Sequence, residues 1–378
     1  MPKAVIVGAG INGLCAARAL VLRGWRVEIL DRGPIPNPEA ASFARRRLIR
    51  GHYPDPALAA RFPAARAAWA ALWRDLGRAH FRATGVLALS RAAGDWTDRA
   101  RAAASAAGAP VETLDPGALA ARCPGPFALD GVRFGLHDPA GGVLAAAAIL
   151  RDLAGWLARR GAILRPHAPV DRIDPAAGSG AGPAGRAKGD VAILAAGVGL
   201  PRLAPDMAGD LVPRRVVVVH ADPPPSWAAG WASAPAWVDL GGEDDLWGAP
   251  AAGGLPIKLG AGRLTRPGDP ASERDATPAD AAAVLDAYRG RMAAGWAPQA
   301  PRAAVNFYLA APDERFVLRR DRRAILLSAD SGHGFKFGPL TGEDLADALE
   351  PGGFEPAAAR LAGLTSAGAS PPPAPPPR

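Results

Sequence analysis

The chain has 378 residues, which at about 150 residues per domain points to two or three domains. Hydrophobic residues make up 49% and charged residues 21%, a profile that allows a sizeable core and excludes a largely disordered chain. The net charge is +8, but only Lys3, Lys188, Lys258 and Lys336 of the 44 basic residues are lysines, and the arginines are scattered without interleaved aromatics, so no nucleic-acid partner is expected.

In chain order, residues 4–7 read as a strand and 11–23 as a helix, from the spacing of Leu14, Ala17, Leu20 and Val21, with Gly24 as its stop. Residues 27–30 read as a second strand. A second helix over 57–78 carries Leu58, Phe62, Ala65, Trp69, Leu72 and Leu76 on one face, and its tryptophans are expected in the core. Residues 85–89 read as a strand, 144–160 as a helix and 162–164 as a strand, with another suggested by Val170 and Ile173. Residues 175–189 are rich in Gly, Ala and Pro and read as a mobile loop. Residues 190–197 read as a buried strand, 212–220 and 235–260 as an antiparallel sheet, 280–292 as a helix, 324–328 as a buried strand and 338–349 as a helix. The Pro-rich tail, 367–378, is expected to be disordered or polyproline-like.

Cys15 and Cys123 make neither a disulfide framework nor a zinc site, and no metal-ligand cluster is evident, so no metal is expected. The first apolar run is too short for a signal peptide, and no segment approaches about 18 consecutive apolar residues. A cytoplasmic protein with no membrane association is the expectation. His52, His80, His137, His167 and His220 have no acid or nucleophile at a telling spacing and read as surface or satisfied core residues.

Gly8-Ala9-Gly10-Ile11-Asn12-Gly13 is a G-x-G-x-x-G that follows a strand and opens a helix. Gly8 permits the tight turn, Gly10 allows the backbone to approach a pyrophosphate, and Gly13 lets helix and strand pack closely. The N–H groups at the helix start, Ile11 and Asn12 among them, face the phosphates. Asp31 ends the second strand, where a carboxylate can accept from a ribose 2′-OH. Arg32 follows it, but Asp31 would repel a 2′-phosphate, so NADP is not expected. The motif itself does not choose between dinucleotides. However, the chain turns irregular at residue 33 instead of continuing as βα repeats. Strand and glycine signals return only near 190–199, with Gly197, and 324–338. A nucleotide domain assembled from separated segments is typical of flavoproteins.

Four motifs carry a resemblance, from residue 3 to about 350, to the monomeric sarcosine oxidase and N-methyltryptophan oxidase group of the glycine/D-amino acid oxidase superfamily. They are the N-terminal GAGINGLCAA; Arg47-Leu48-Ile49-Arg50; Leu246-Trp247-Gly248-Ala249-Pro250 with Pro256-Ile257-Lys258-Leu259-Gly260; and Pro312-Asp313-Glu314 leading to Ser331-Gly332-His333-Gly334-Phe335-Lys336-Phe337. The resemblance implies an α/β fold: a discontinuous Rossmann-type FAD-binding domain (1–82, 139–211 and 309–366) interleaved with a mixed-sheet substrate domain (83–138 and 212–308). It implies FAD and a small-molecule amine or amino-acid substrate. A hydride would pass to flavin N5, leaving an imine, and O2 would reoxidise the flavin to give H2O2. It places Lys258 near flavin N5, Arg47 near the flavin ring, Arg50 and Lys336 on the substrate carboxylate, and Trp247 on the substrate face, with Gly332, Gly334 and Phe335 in the cofactor-binding motif. Two of the four lysines of an arginine-rich chain fall in these motifs, where a compact cation is not replaceable by Arg.

The chain departs from the family pattern at Asn306, where covalent members have cysteine, so FAD is expected to be non-covalent. It departs also at Gly262 and Phe43, both family histidines, and at Trp247, a family tyrosine. These changes imply an altered substrate. Two other readings stand beside the oxidase: a flavin dehydrogenase using a protein or quinone acceptor, and a non-catalytic flavin-binding subunit. A monomer or small homo-oligomer is expected.

Overall fold

The structure is a computed structural model that describes residues 1–122, 127–293 and 295–363; the Pro-rich tail and Cys123 lie outside the described residues. Its first layer is a six-stranded sheet in the order Val317–Asp321, Ala324–Ser328, Val191–Leu194, Lys3–Val7, Arg26–Leu30, Ile163–Arg165. All pairs are parallel except the one that adds the edge strand Val317–Asp321. The central strands read as unbroken apolar runs because helices cover them. Helices Ile11–Leu22, Gly334–Ala348 and Ala146–Arg159 and the long helix Pro56–Leu76 share one core with this sheet.

Helix Pro56–Leu76 is closed at both ends by local chemistry. The Asp55 carboxylate accepts from the Leu58 N–H at 2.8 Å, and Gly77 ends the helix at φ +73°. Trp69 is buried, as its spacing predicted.

The second large sheet has nine strands and is mixed. Most pairs are antiparallel, but Ala236–Asp239 runs parallel to Val86–Ser90. Its long strands Val212–Asp222 and Gln299–Ala310 pair along nearly their whole length. One face packs on helix Pro278–Ala287 through Val217, Val219, Leu259, Trp237 and Val284. The other face roofs the site described below.

Two expectations are corrected. Residues 175–189 are not a loop: Ser179–Gly182 and Gly185–Lys188 form a hairpin, joined by Arg172–Asp174. Small residues are required there, since a side chain at Gly182 would collide with the Pro169 carbonyl. Side-chain bulk was the wrong signal for strand formation at that place. The last long helix begins at Gly334, not 338, and carries Pro339 inside it. Gly338 and Gly342 lie against Ile11 and Cys15, where an added Cβ would come within 2.5 Å. Close helix–helix packing therefore overrides the breaker signals of glycine and proline. No described helix is long and apolar enough to cross a membrane.

Candidate active site

A cavity of about 800 Å³ opens between the two sheets, within the size range of small-molecule and cofactor sites. One end is the glycine turn. Gly8 has φ +106° and its Cβ would strike the Ala195 carbonyl, so the turn needs glycine. Gly8, Gly10, Ile11 and Asn12 line the cavity, as do Asp31, Arg32 and Gly197. Gly13 does not; its Cβ would strike the Gly8 carbonyl, and it serves the strand–helix packing.

Several polar groups here have partners the sequence did not suggest. The Ile11 N–H donates to Ser42 Oγ at 2.9 Å. Asp31 accepts from the Ala9 N–H (2.8 Å), the Gly33 N–H (2.9 Å) and Asn37 Nδ2 (2.8 Å), which ties the glycine turn to the loop behind it. A carboxylate offers about four lone-pair sites, so a fourth donor still fits. Arg32 stands at the rim, paired with Glu39 at 2.7 Å. Asn12 Nδ2 donates to the Ala329 carbonyl at 3.0 Å, while its buried Oδ1 has no partner among the described residues.

The other end is strongly cationic. Strand register explains the roof. In antiparallel pairs directly opposed residues share a face, and that face repeats every second residue. Val238, Trp247, Gly260 and Val218 form one such row and Ala249, Lys258 and His220 the next, all from facing pairs. Gly260 leaves room for the Trp247 indole. Lys258 Nζ lies 5.2 Å from the centroid of that ring and donates to the Arg46 carbonyl at 3.2 Å. Burial, then Arg47, Arg46 and Lys336, depress its pKa well below the ordinary lysine value.

The floor comes from the first layer. Lys336, in the first turn of helix Gly334–Ala348, is 8% exposed and lines the cavity. Its backbone carbonyl is held by Trp69 Nε1 at 2.7 Å, but its ammonium has no hydrogen bond or ion pair among the described residues. Burial first, then Arg50 and Arg47, push its pKa well down; Asp330 opposes them. Burial pushes the Asp330 carboxyl up to about 6. Arg50 is sandwiched between the Tyr53 and Trp96 rings, at 4.5 and 4.7 Å. Arg47 donates to the Ala41 carbonyl, and Asn306 Nδ2 donates to the same carbonyl at 3.2 Å. Gly332, Gly334 and Phe335 complete the floor.

The structure thus gathers every singled-out residue except Gly13 around one cavity. It adds others that the sequence did not reveal. Arg46 grips the hairpin between Leu246–Ala249 and Ile257–Ala261 through the Pro250 and Pro256 carbonyls. Asp245, Tyr308, His333 and Asp330 also line the cavity. Three histidines among the described residues, His52, His220 and His137, have a buried Nδ1 without a hydrogen-bond partner, and the first two bear on the site. His220 lines the cavity and His52 is fully buried. The two-residue period of Val212–Asp222, read with its partners, was the signal that would have put His220 beside Lys258.

The cavity passes the test for a flavin dinucleotide. A glycine turn that a side chain would obstruct stands at one end, an Asn12 oxygen without a hydrogen-bond partner among the described residues borders it, and buried cations with no ion pair among the described residues stand at the other.

The human and mouse peroxisomal sarcosine oxidases are 28% and 29% identical over 172 and 177 residues; the match covers 46% of this chain and 44% of each relative, less than half their length. Among solved structures, L-proline dehydrogenase from P. horikoshii has a TM-score of 0.80 at 18% identity, covering 93% of this chain and 94% of that one. NikD, an unusual amino acid oxidase essential for nikkomycin biosynthesis, has a TM-score of 0.76 at 21% identity, covering 93% and 95%. Both likenesses concern the fold. The model of the DAO family, described as FAD-dependent oxidoreductase, matches residues 3–348, and the chain belongs to that family.

Proposed function

We propose that this chain oxidises the C–N bond of an amine or amino acid carrying a carboxylate, with non-covalent FAD and with O2 as the final acceptor. The carrying observation is that Lys258 and Lys336, both buried, face one cavity with the glycine turn at its far end. When bound, FAD supplies a two-electron acceptor for the substrate and a reduced donor for O2. Its diphosphate would lie on the turn of Gly8 and Gly10, and its ribose near Asp31. The division into a nucleotide domain (1–82, 139–211 and 309–366) and a substrate domain (83–138 and 212–308) belongs to the same proposal.

The chain's own groups do the rest. Lys336 and Arg50 hold the substrate carboxylate and orient the reacting carbon. Burial first, and then the positive charges that together depress both lysines, also lower the pKa of a substrate ammonium, favouring the neutral amine that can give up hydride. Lys258, fixed by the Arg46 carbonyl and the Trp247 ring, offers a preorganised cation where negative charge develops as O2 is reduced. Asn306 provides no thiol for attachment, and its amide is engaged by the Ala41 carbonyl.

The test is anaerobic mixing of the yellow protein with a panel of secondary amines and amino acids, followed by admission of air. Bleaching by at least one compound and peroxide on reoxidation are expected. Bleaching without peroxide would favour the dehydrogenase reading, and no bleaching across a broad panel would overturn oxidation of a C–N bond. Protein that stays yellow after acid precipitation would overturn non-covalent attachment.

A further inference from the structure

The carboxylates around the roof edge are not alike. Asp239 pairs with Arg91 at 2.9 Å, Asp244 pairs with Arg263, and Glu314 lies 3.3 Å from His333 Nε2. The Asp245 side chain, by contrast, is exposed, has no hydrogen bond or ion pair among the described residues, and lines the cavity.

Strand pairing ends where Leu246 opposes Ala261; Asp245 lies just before it at φ +48° and Gly262 just beyond its partner, and Asp245 lines the same cavity as Trp247 and Lys258. The Asp245 carbonyl accepts from the Gly262 N–H at 2.9 Å. A Cβ on Gly262 would come within 2.6 Å of the Asp245 Cβ, so the glycine makes room for this carboxylate.

Asp245 also belongs to the substrate end. His333 bridges Glu314 to Tyr53, whose ring lies 6.2 Å from the imidazole and under Arg50. The field of Glu314 reaches Asp245. Asp245 is solvent-exposed, but its carboxyl is partly withdrawn from water by the cavity wall, and that desolvation first, then Glu314, Asp244 and Asp239, pushes it up to about 6. The same cavity is lined by Lys336, more than nine-tenths buried, whose ammonium has no hydrogen bond or ion pair among the described residues, with Asp330 as its favourable neighbouring charge. One cation and one anion facing the same cavity, neither held in an ion pair among the described residues, suit a molecule bearing both charges.

We propose that the substrate carries a second cationic group, beyond the carboxylate and the amine that reacts, and that Asp245 is the residue that holds it. The substrate class is then a basic amino acid or a similar cationic amino carboxylate. The inference rests on the proposed function for the carboxylate end, and its test is chosen to read binding without turnover.

The FAD-loaded protein is titrated with ω-amino carboxylates and with the matching n-alkanoates, from butanoate to heptanoate, and the flavin absorbance shift gives Kd. At about pH 8 the ammonium should tighten binding by about tenfold or more at one chain length or another. That gain should vanish in Asp245→Asn, a substitution suited to a backbone at φ +48°, and should fade in wild type at about pH 5, where Asp245 is protonated. Alkanoates binding as tightly at every length, or a gain that survives in Asp245→Asn, would overturn the inference. If no carboxylate of either series binds, the reading of Lys336 and Arg50 fails instead. The n-alkylamines then decide: binding to wild type but not to Asp245→Asn upholds the role of Asp245, and equal binding or none overturns it.

Discussion

The two ends of the cavity satisfy their polar groups in opposite ways. At the glycine turn the protein is nearly self-sufficient. Asp31 already accepts three N–H donors, Ser42 takes the Ile11 N–H, and the chain segments involved fall within residues 8–42. At the cationic end Lys258, Lys336, Arg47 and Arg50 come from three distant segments, and burial works against their charges. A preformed cradle and a cationic cluster whose charges burial disfavours therefore share one cavity. The first should matter for holding a ligand, the second for what happens to it.

Lys258→Met should sharpen this contrast most. Loss of a preorganised donor at developing charge lowers reoxidation by O2 by about 10²–10³-fold, while anaerobic reduction changes less than about tenfold. Stopped-flow absorbance separates the two half-reactions. An equal fall in both would place Lys258 in general packing and remove the distinction between the ends.

Lys336→Met should come next. A hydrogen bond to a charged group contributes about 1.5–3 kcal/mol, so the KM of a carboxylate substrate should rise by about 10–100-fold, with little change for an amine lacking the carboxylate. A uniform effect on both substrates would mean that Lys336 acts through the helix it begins and not on the ligand.

Gly8→Ala tests the other end. A side chain at φ +106°, directed at the Ala195 carbonyl, costs on the order of 1–3 kcal/mol and deforms the turn. FAD affinity should fall by about tenfold or more in equilibrium dialysis, while the half-reactions of protein saturated with FAD stay near wild type. Retained affinity would show that the cradle is not where the dinucleotide is held.

The same division explains what was legible before the structure. The glycine turn, its flanking strands and Asp31 lie within one stretch, so spacing alone located them. The cationic end was reached only through motif resemblance, because no local pattern joins Arg47, Lys258 and Lys336. Asp245 escaped notice since its position depends on a turn at φ +48° just outside the paired strands and on the room left by Gly262. The hairpin Ser179–Gly182 with Gly185–Lys188 was misread for a related reason: its small residues answer to a neighbouring carbonyl, not to a propensity scale. Arg46 looked like one member of a basic run, and only its contacts with Pro250, Pro256 and Lys258 set it apart.

The smallest expected effect concerns His220, which faces Lys258 across paired strands. Burial, then Lys258, Arg46, Arg45 and Arg302, lower its pKa to about 4 from an ordinary 6.5. Between those values the unfolded chain takes up a proton that the folded one refuses. Stability should therefore fall as pH drops from about 6.5 to 4 and level off on this account below 4. His220→Gln should flatten that part of the profile by a fraction of the total acid sensitivity, since fully buried His52, also lowered to about 4, contributes in the same window. Lys258→Met should instead raise the His220 pKa, which NMR of the imidazole protons can follow. An unmoved His220 titration in that variant would mean that burial alone sets its value, and that the charges at this end of the cavity are better screened from one another than their proximity implies.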